Sequence, residues 1–239
     1  MHKDNGEFKL IQMRFVIVVL LLLSFSCGKE KSIQLPEISH SNIQEVKDVA
    51  TAYIFYDENK KDSVDLKRKN FANSTNLLVN VDKHLLLRQV IPAIQSLQKK
   101  KQESLHNNET SKNFYSCHDT SVKELGFIDF TDVVYHNGID GNIVENQDLY
   151  DVQIDETNHI LSLVFKENDS ITINSAHSTK DEFVGRLKYM DSLQDKIMGI
   201  VYLKFDENLT FQDYITYKSL LSKLKLEHAI ISNDEYIFN

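Results

Sequence analysis

One pattern occurs twice in this chain, 124 positions apart. The runs Leu77-Leu78-Val79-Asn80-Val81-Asp82-Lys83-His84-Leu85-Leu86-Leu87-Arg88-Gln89-Val90-Ile91 and Val201-Tyr202-Leu203-Lys204-Phe205-Asp206-Glu207-Asn208-Leu209-Thr210-Phe211-Gln212-Asp213-Tyr214-Ile215 share one outline. Each reads as an apolar strand, an aspartate, two polar residues, a leucine and an amphipathic helix. The physical sense is a strand that stops at Asp82 or Asp206, turns, and packs its helix back on the sheet. Any two strand–turn–helix units share that outline, so duplication of one architecture stays open.

The flanking segments extend both units. Ala50–Tyr56, rich in β-branched and aromatic residues and bounded by Asp57-Glu58-Asn59, predicts a strand, as does Asn76–Val81. Leu86, Val90, Ile94 and Leu97 have helical spacing, and Pro92 inside that helix should kink it or delay its start. Lys99-Lys100-Lys101 ends the helix where cations suit the dipole and reads as a solvated terminus. The polar, aperiodic stretch 100–114 reads as a linker between halves. Beyond it, Phe127–Phe130 and Val133–Tyr135 read as short strands, with turns at Asn137-Gly138 and Asp140-Gly141.

The C-terminal half is clearer. Ile160–Phe165 and Ser170–Asn174 predict a hairpin, and Thr179 with Glu182 a capping box. That box opens a helix faced by Phe183, Leu187 and Met190. A strand at Ile200–Phe205 follows, then a second helix capped by Thr210 and Asp213, then a strand at Ala229–Ser232 that Tyr236–Phe238 extends. The expected fold class is α+β, a small β-sheet with helices packed on one face, in the order ββαβαβ over the C-terminal half.

The N-terminus carries an address. Lys9 and Arg14 precede nine apolar residues, Phe15–Leu23, then Ser24-Phe25-Ser26-Cys27. This is the order of a secretory signal peptide. The apolar run is about half of the ~20 residues that a spanning helix needs. The cysteine at the cleavage position resembles a bacterial lipoprotein lipobox, which implies Cys27 as the acylated first residue. Phe25 stands where a small residue is usual, and Leu23 sits one place early. The expected organisation is a signal peptide over 1–26, a lipidated tether over 27–40, an N-terminal α/β half over 41–114 and a C-terminal domain over 115–239. Gly28-Lys29-Glu30 lacks an aspartate behind the cysteine, so the outer membrane is the default within the envelope, facing the periplasm or the cell surface.

Composition narrows the function classes. Loss of residues 1–26 leaves 213 residues and removes three basic and two acidic side chains, taking the net charge from −8 to −9. Such an acidic chain is a poor partner for nucleic acid. Two cysteines are too few for a disulfide framework, and with Cys27 acylated Cys117 is left alone as a buried or semi-buried thiol. Seven glycines leave little room for phosphate loops, and no G-x-S-x-G, Walker or G-x-G-x-x-G motif occurs.

Residues 160–232 resemble the periplasmic domain of the ExbD/TolR family, the small stator partners of proton-driven motors. The resemblance lies in the hairpin, the helix over Thr179–Leu193 and above all Ile200–Ile231, where Tyr202–Phe211 is similar to the family's strand–Asp–polar–aromatic passage into its last helix. It covers about a third of the chain. The family's membrane helix bears an essential aspartate, whereas Phe15–Leu23 has no acidic residue. An ionisable group in the bilayer is what would couple proton flow to motion. The resemblance therefore implies the periplasmic role, dimerising or docking to a partner protein or the cell wall, rather than proton conduction.

Catalytic and metal chemistry finds little support in the sequence. Neighbours in the tripeptide Cys117-His118-Asp119 would point to opposite faces of a strand, so it is no dyad. His118, His136, His159 and His177 show no metal-ligand spacing, and Asp140-Gly141-Asn142 lacks the ligand pattern of a calcium loop. No catalytic, cofactor or metal residues are assigned; the one site residue is Cys27, for lipidation. The expectation is a non-enzymatic, lipid-anchored envelope protein whose ExbD/TolR-like domain self-associates or binds an envelope partner, accessory to TonB-type biopolymer transport. The alternative is a solute-binding lipoprotein with a ligand cleft between its halves.

Overall fold

The computed structural model describes residues 32–57, 59–60, 64–69, 75–103, 111–139, 158–193 and 198–239. Cys27, the expected signal peptide over 1–26 and Asp140-Gly141-Asn142 lie outside the described residues. The fold is α+β, as expected, and the described residues form two mixed sheets and three helices.

The first sheet takes β1 (Glu37–Ile38), β2 (Val49–Tyr56), β3 (Val64–Lys69), β4 (Asn76–Val81), β5 (Asn113–Asp119) and β6 (Glu124–Asp129). Its order is β3-β2-β4-β5-β6; β1 lies beside the C-terminal end of β5, on the β4 side. β2, β4 and β5 are parallel, and β3 and β6 run antiparallel at the edges. Alternation decides which face is inward. Ala50, Ala52 and Ile54 of β2, with Leu77, Val79 and Val81 of β4, are at most 1% exposed, and the intervening residues are half-buried.

The second sheet takes β7 (Val134–Ile139), β8 (Asn158–Lys166), β9 (Ser170–Ile173), β10 (Ala176–Ser178), β11 (Met198–Asp206) and β12 (Ala229–Phe238), in the order β10-β9-β8-β11-β12-β7. β8, β11, β12 and β7 are mutually parallel. Every residue from Val201 to Phe205 is buried, which is why this strand reads as a continuous run rather than an alternation. Helix α1 (Leu87–Gln102) links β4 to β5, α2 (Phe183–Ser192) precedes β11, and α3 (Phe211–Leu221) links β11 to β12. Leu87, Val90, Ile91, Ile94 and Leu97 form the buried stripe of α1.

The two units repeat. β2-β3-β4-α1-β5 and β8-β9-β11-α3-β12 have the same pairings: an antiparallel hairpin, then two parallel partners joined by a helix. They meet where the sequence repeat is strongest. Leu86 and Thr210, 124 positions apart, form an antiparallel bridge. Leu87 N–H donates to the Leu209 carbonyl at 2.9 Å, and Phe211 N–H donates to that of Leu85 at 2.7 Å. Arg88 N–H reaches the Glu207 carbonyl at 3.0 Å, and Gln212 N–H the Lys83 carbonyl at 3.0 Å. Each bond has its counterpart 124 positions on, so a local two-fold axis passes between Leu86 and Thr210. The turns match as well. Asp82 Oδ1 accepts from His84 N–H as Asp206 Oδ1 accepts from Asn208 N–H.

Several expectations change. Residues within the expected tether are bonded to the body, Glu37 and Ile38 as a strand on β5. The expected boundary at 114/115 falls inside β5, and β5 and β6 belong to the first sheet. α1 begins at Leu87 and continues through Pro92, which sits on its exposed face where the unmatched Arg88 carbonyl can be hydrated. Lys101 is buried rather than solvated: its Nζ donates to the Lys112 carbonyl at 3.0 Å and to Asn113 Oδ1 at 2.8 Å. Asn137-Gly138 lies within β7 instead of a turn. The Thr179–Glu182 box does not form; α2 starts at Phe183, and only the Thr179 carbonyl takes part. The Thr210–Asp213 box does form, with Asp213 N–H donating to Thr210 Oγ1 at 3.1 Å.

Candidate functional site

Two polar constellations stand out in the described body. The first surrounds Asp119, at the end of β5, and holds the entering chain. Its Oδ2 accepts from Ser41 N–H at 2.7 Å and Gln44 Nε2 at 3.1 Å, and its Oδ1 from Ser121 N–H at 2.9 Å and Ser121 Oγ at 2.6 Å. The Ser121 hydroxyl, followed by these backbone and amide donors, holds the carboxyl well below the usual carboxylate range despite burial. The packing is tight beside it. A Cβ on Gly126 would lie 2.6 Å from the Cβ of Ser41, so this β6 position admits only glycine.

His40, Ser121 and Asp119 bring together the side chains of a serine hydrolase. Their geometry does not support that chemistry. His40 Nδ1 lies 3.4 Å from Ser121 Oγ and 3.7 Å from Asp119 Oδ2, so one ring nitrogen faces both partners. A relay needs the imidazole between them, one nitrogen to each. Here the aspartate takes the serine proton donor directly, and the cluster acts as a latch.

The second constellation joins the two sheets. Tyr115 of β5, Tyr135 of β7, Tyr214 of α3 and Glu235 of β12 are all at most 5% exposed. Tyr214 Oη donates to Glu235 Oε2 at 2.7 Å, so it accepts from Tyr135 Oη at 3.0 Å, and Tyr135 in turn accepts from Tyr115 Oη at 2.6 Å. The chain of hydroxyls runs in one direction and ends on a carboxylate. Lys218 of α3 pairs with the other oxygen of Glu235. Burial, before any neighbouring charge, pushes the hydroxyls of Tyr115, Tyr135 and Tyr214 well above the tyrosine range. They are donors, not acids. Packing completes the junction: Tyr115 stacks on Phe130 at 3.9 Å and meets Phe211 edge-on at 5.2 Å.

The junction between the units is filled. Leu85, Leu87, Leu209 and Phe211 are at most 2% exposed and belong to one continuous core. A ligand cleft there would need the space they occupy. A recess of about 160 Å³ opens elsewhere, among His40, Ile43, Phe127, Asp129, Ser219 and Lys223.

The residues singled out from sequence do not converge. Cys117 is a fully buried free thiol, and burial pushes it up, away from reactivity. His118 is on β5 and His177 on β10; the His159 side chain is outside what is described. His136 Nε2 lies 2.7 Å from Asp234 Oδ1, and its ring stacks on Tyr236 at 4.9 Å. Among the described residues no three His, Cys, Asp or Glu side chains are grouped to hold a metal, and no helix is long and apolar enough to cross a membrane. Sequence reasoning missed Tyr115, Lys218 and Glu235. Glu235 falls between two predicted strand segments, and only the joining of those segments into β12 turns it inward.

No protein-family model, curated protein or solved structure matches this chain.

Proposed function

We propose that this chain is a non-enzymatic, lipid-anchored protein of the bacterial cell envelope. Its second unit acts as an ExbD/TolR-like interaction domain that docks an envelope protein partner, accessory to TonB-type biopolymer transport. The observation that carries the reading is the order β8-β9-β10-α2-β11-α3-β12, which is the expected ββαβαβ succession with one added three-residue strand, β10, after the hairpin. It stands behind a leader whose cysteine has lipobox character. In the dimerising-or-docking choice, docking to a different protein is favoured. The start of α3 is already bonded to residues 83–88 of the same chain.

The test uses the full chain expressed with its leader in a Gram-negative host. Mass spectrometry should find a mature N-terminus at Cys27 bearing acyl chains, in the envelope fraction, and Cys27→Ser should release the protein from membranes. An intact Met1, or a cytosolic product, overturns the reading. Photo-crosslinking in intact envelopes should then give one discrete heterologous adduct; adducts only between copies would overturn the docking role.

A further inference from the structure

The geometry points to a strand-addition site on the outer edge of β3, one that takes an extended acidic peptide. It rests on the reading that this protein works by docking a protein partner. The edges of both sheets supply the argument. β7 is shielded by α1, since Gln95 Nε2 donates to the Tyr135 carbonyl at 2.8 Å and Gln98 Nε2 to the Val133 carbonyl at 2.9 Å. β6 is closed by the entering chain, Phe127 N–H donating to the Ile43 carbonyl at 3.1 Å. These are ways of keeping a sheet edge from pairing with another chain.

β3 differs. It is the last described strand of the first sheet and six residues long. Its counterpart in the second unit is β9, which pairs antiparallel with β8 as β3 does with β2. β9 carries a further strand on its other side, the three-residue β10, in antiparallel register from Ala176↔Ile173 to Ser178↔Ile171. The fold therefore shows, within the same chain, that the equivalent edge of β9 accepts a further strand. No described strand seats on β3.

Charge selects the occupant. Residues 60–69 hold five basic and two acidic side chains in a chain of net charge −8. Lys67 and Arg68 are exposed. Lys67 is held over the Phe55 ring at 5.4 Å, with Asp65 at 3.9 Å. Cations on an edge strand repel basic strands and favour one bearing carboxylates; carboxylates at alternate positions share one face, here the face that carries Lys67. Main-chain bonds would supply affinity and the charges specificity.

The test measures fluorescence anisotropy of a labelled peptide of alternating valine and glutamate on the full chain in detergent, with a valine–lysine peptide as control. The acidic peptide should bind at least ~10-fold more tightly than the control, and Lys67→Glu/Arg68→Glu should lose about that factor. Hydrogen exchange of β3 amides should slow on binding. Lys67→Thr/Arg68→Thr, which keeps strand propensity, is read instead if the reversal fails to fold. No binding, unchanged binding by the folded variant, or binding without slowed β3 exchange overturns the site, the last indicating polyanion adsorption. Acylation of Cys27 and envelope location are read separately, so failure of this site and failure of the anchored-protein reading are distinguishable.

Discussion

Tyr115 and Glu235 occupy the same place in their respective units and are joined to each other. Tyr115 lies opposite Val79 in the β4–β5 pairing, and Glu235 lies opposite Leu203 in the β11–β12 pairing. Val79 and Leu203 are themselves 124 positions apart. From these equivalent sites the two side chains are connected through the hydroxyls of Tyr135 and Tyr214. The repeat thus places a donor in one sheet and a carboxylate in the other, at matching depth.

Breaking the end of that chain should be costly. Lys218→Met leaves a fully buried carboxylate with one fewer cation, and Glu235→Leu leaves a mostly buried ammonium and the Tyr214 hydroxyl without their acceptor. Each single change should lose about 3–5 kcal/mol in urea denaturation, whereas the double change should cost much less than the sum. Additive losses would show that the pair does not act as a unit.

Asp119 should make the attachment of the entering chain sensitive to acid. Its folded-state pKa is depressed, so its contribution is present above the unfolded value of ~3.9 and is lost as pH falls below that. Protection of the Ser41 amide, taken relative to its intrinsic exchange rate at each pH, should fall as pH drops below about 4, the unfolded carboxylate range. Asp119→Asn should show low protection of that amide at neutral pH and little further change in protection on acidification.

Lys101 should act in the opposite range. Burial lowers its ammonium to about 8, so the folded state binds fewer protons than the unfolded chain above that value. The destabilising cost of burying the charge is full below pH 8 and is relieved as pH rises towards the unfolded value of ~10.4. Relative to Lys101→Met, the native protein should gain stability between about pH 8 and 10, measured by denaturant midpoints at each pH. A constant difference would contradict the assignment.

Leu85→Ala and Leu209→Ala remove equivalent side chains on either side of the local axis, exposed 1% and 2%. Each should cost about 2–5 kcal/mol. Because both belong to one core, each should move a single unfolding transition. Two transitions, one shifted by each variant, would mean that the units unfold separately.

Much of this architecture was legible from local pattern. The α+β class, the hairpin β8–β9, the buried face of α1 and the Thr210 cap follow from alternation, helical spacing and capping chemistry, all short-range. β3 was not legible, because Val64-Asp65-Leu66-Lys67-Arg68-Lys69 carries the charges of an edge strand and resembles a solvated loop. β7 was partly misread because Asn137-Gly138 has turn chemistry, yet the parallel pairing of His136 and Asn137 with Tyr236 and Ile237 holds it extended.

Sequence alone settled β2, β4, α1, β8, β9, β11 and α3, since side-chain periodicity is a property of each segment. Tertiary structure decided that the repeats face each other at Leu86 and Thr210, that the entering chain is latched at Asp119, and that Lys101 and Glu235 are buried. Those outcomes depend on which distant backbone and polar groups come within hydrogen-bonding distance. No window of neighbouring residues contains that information.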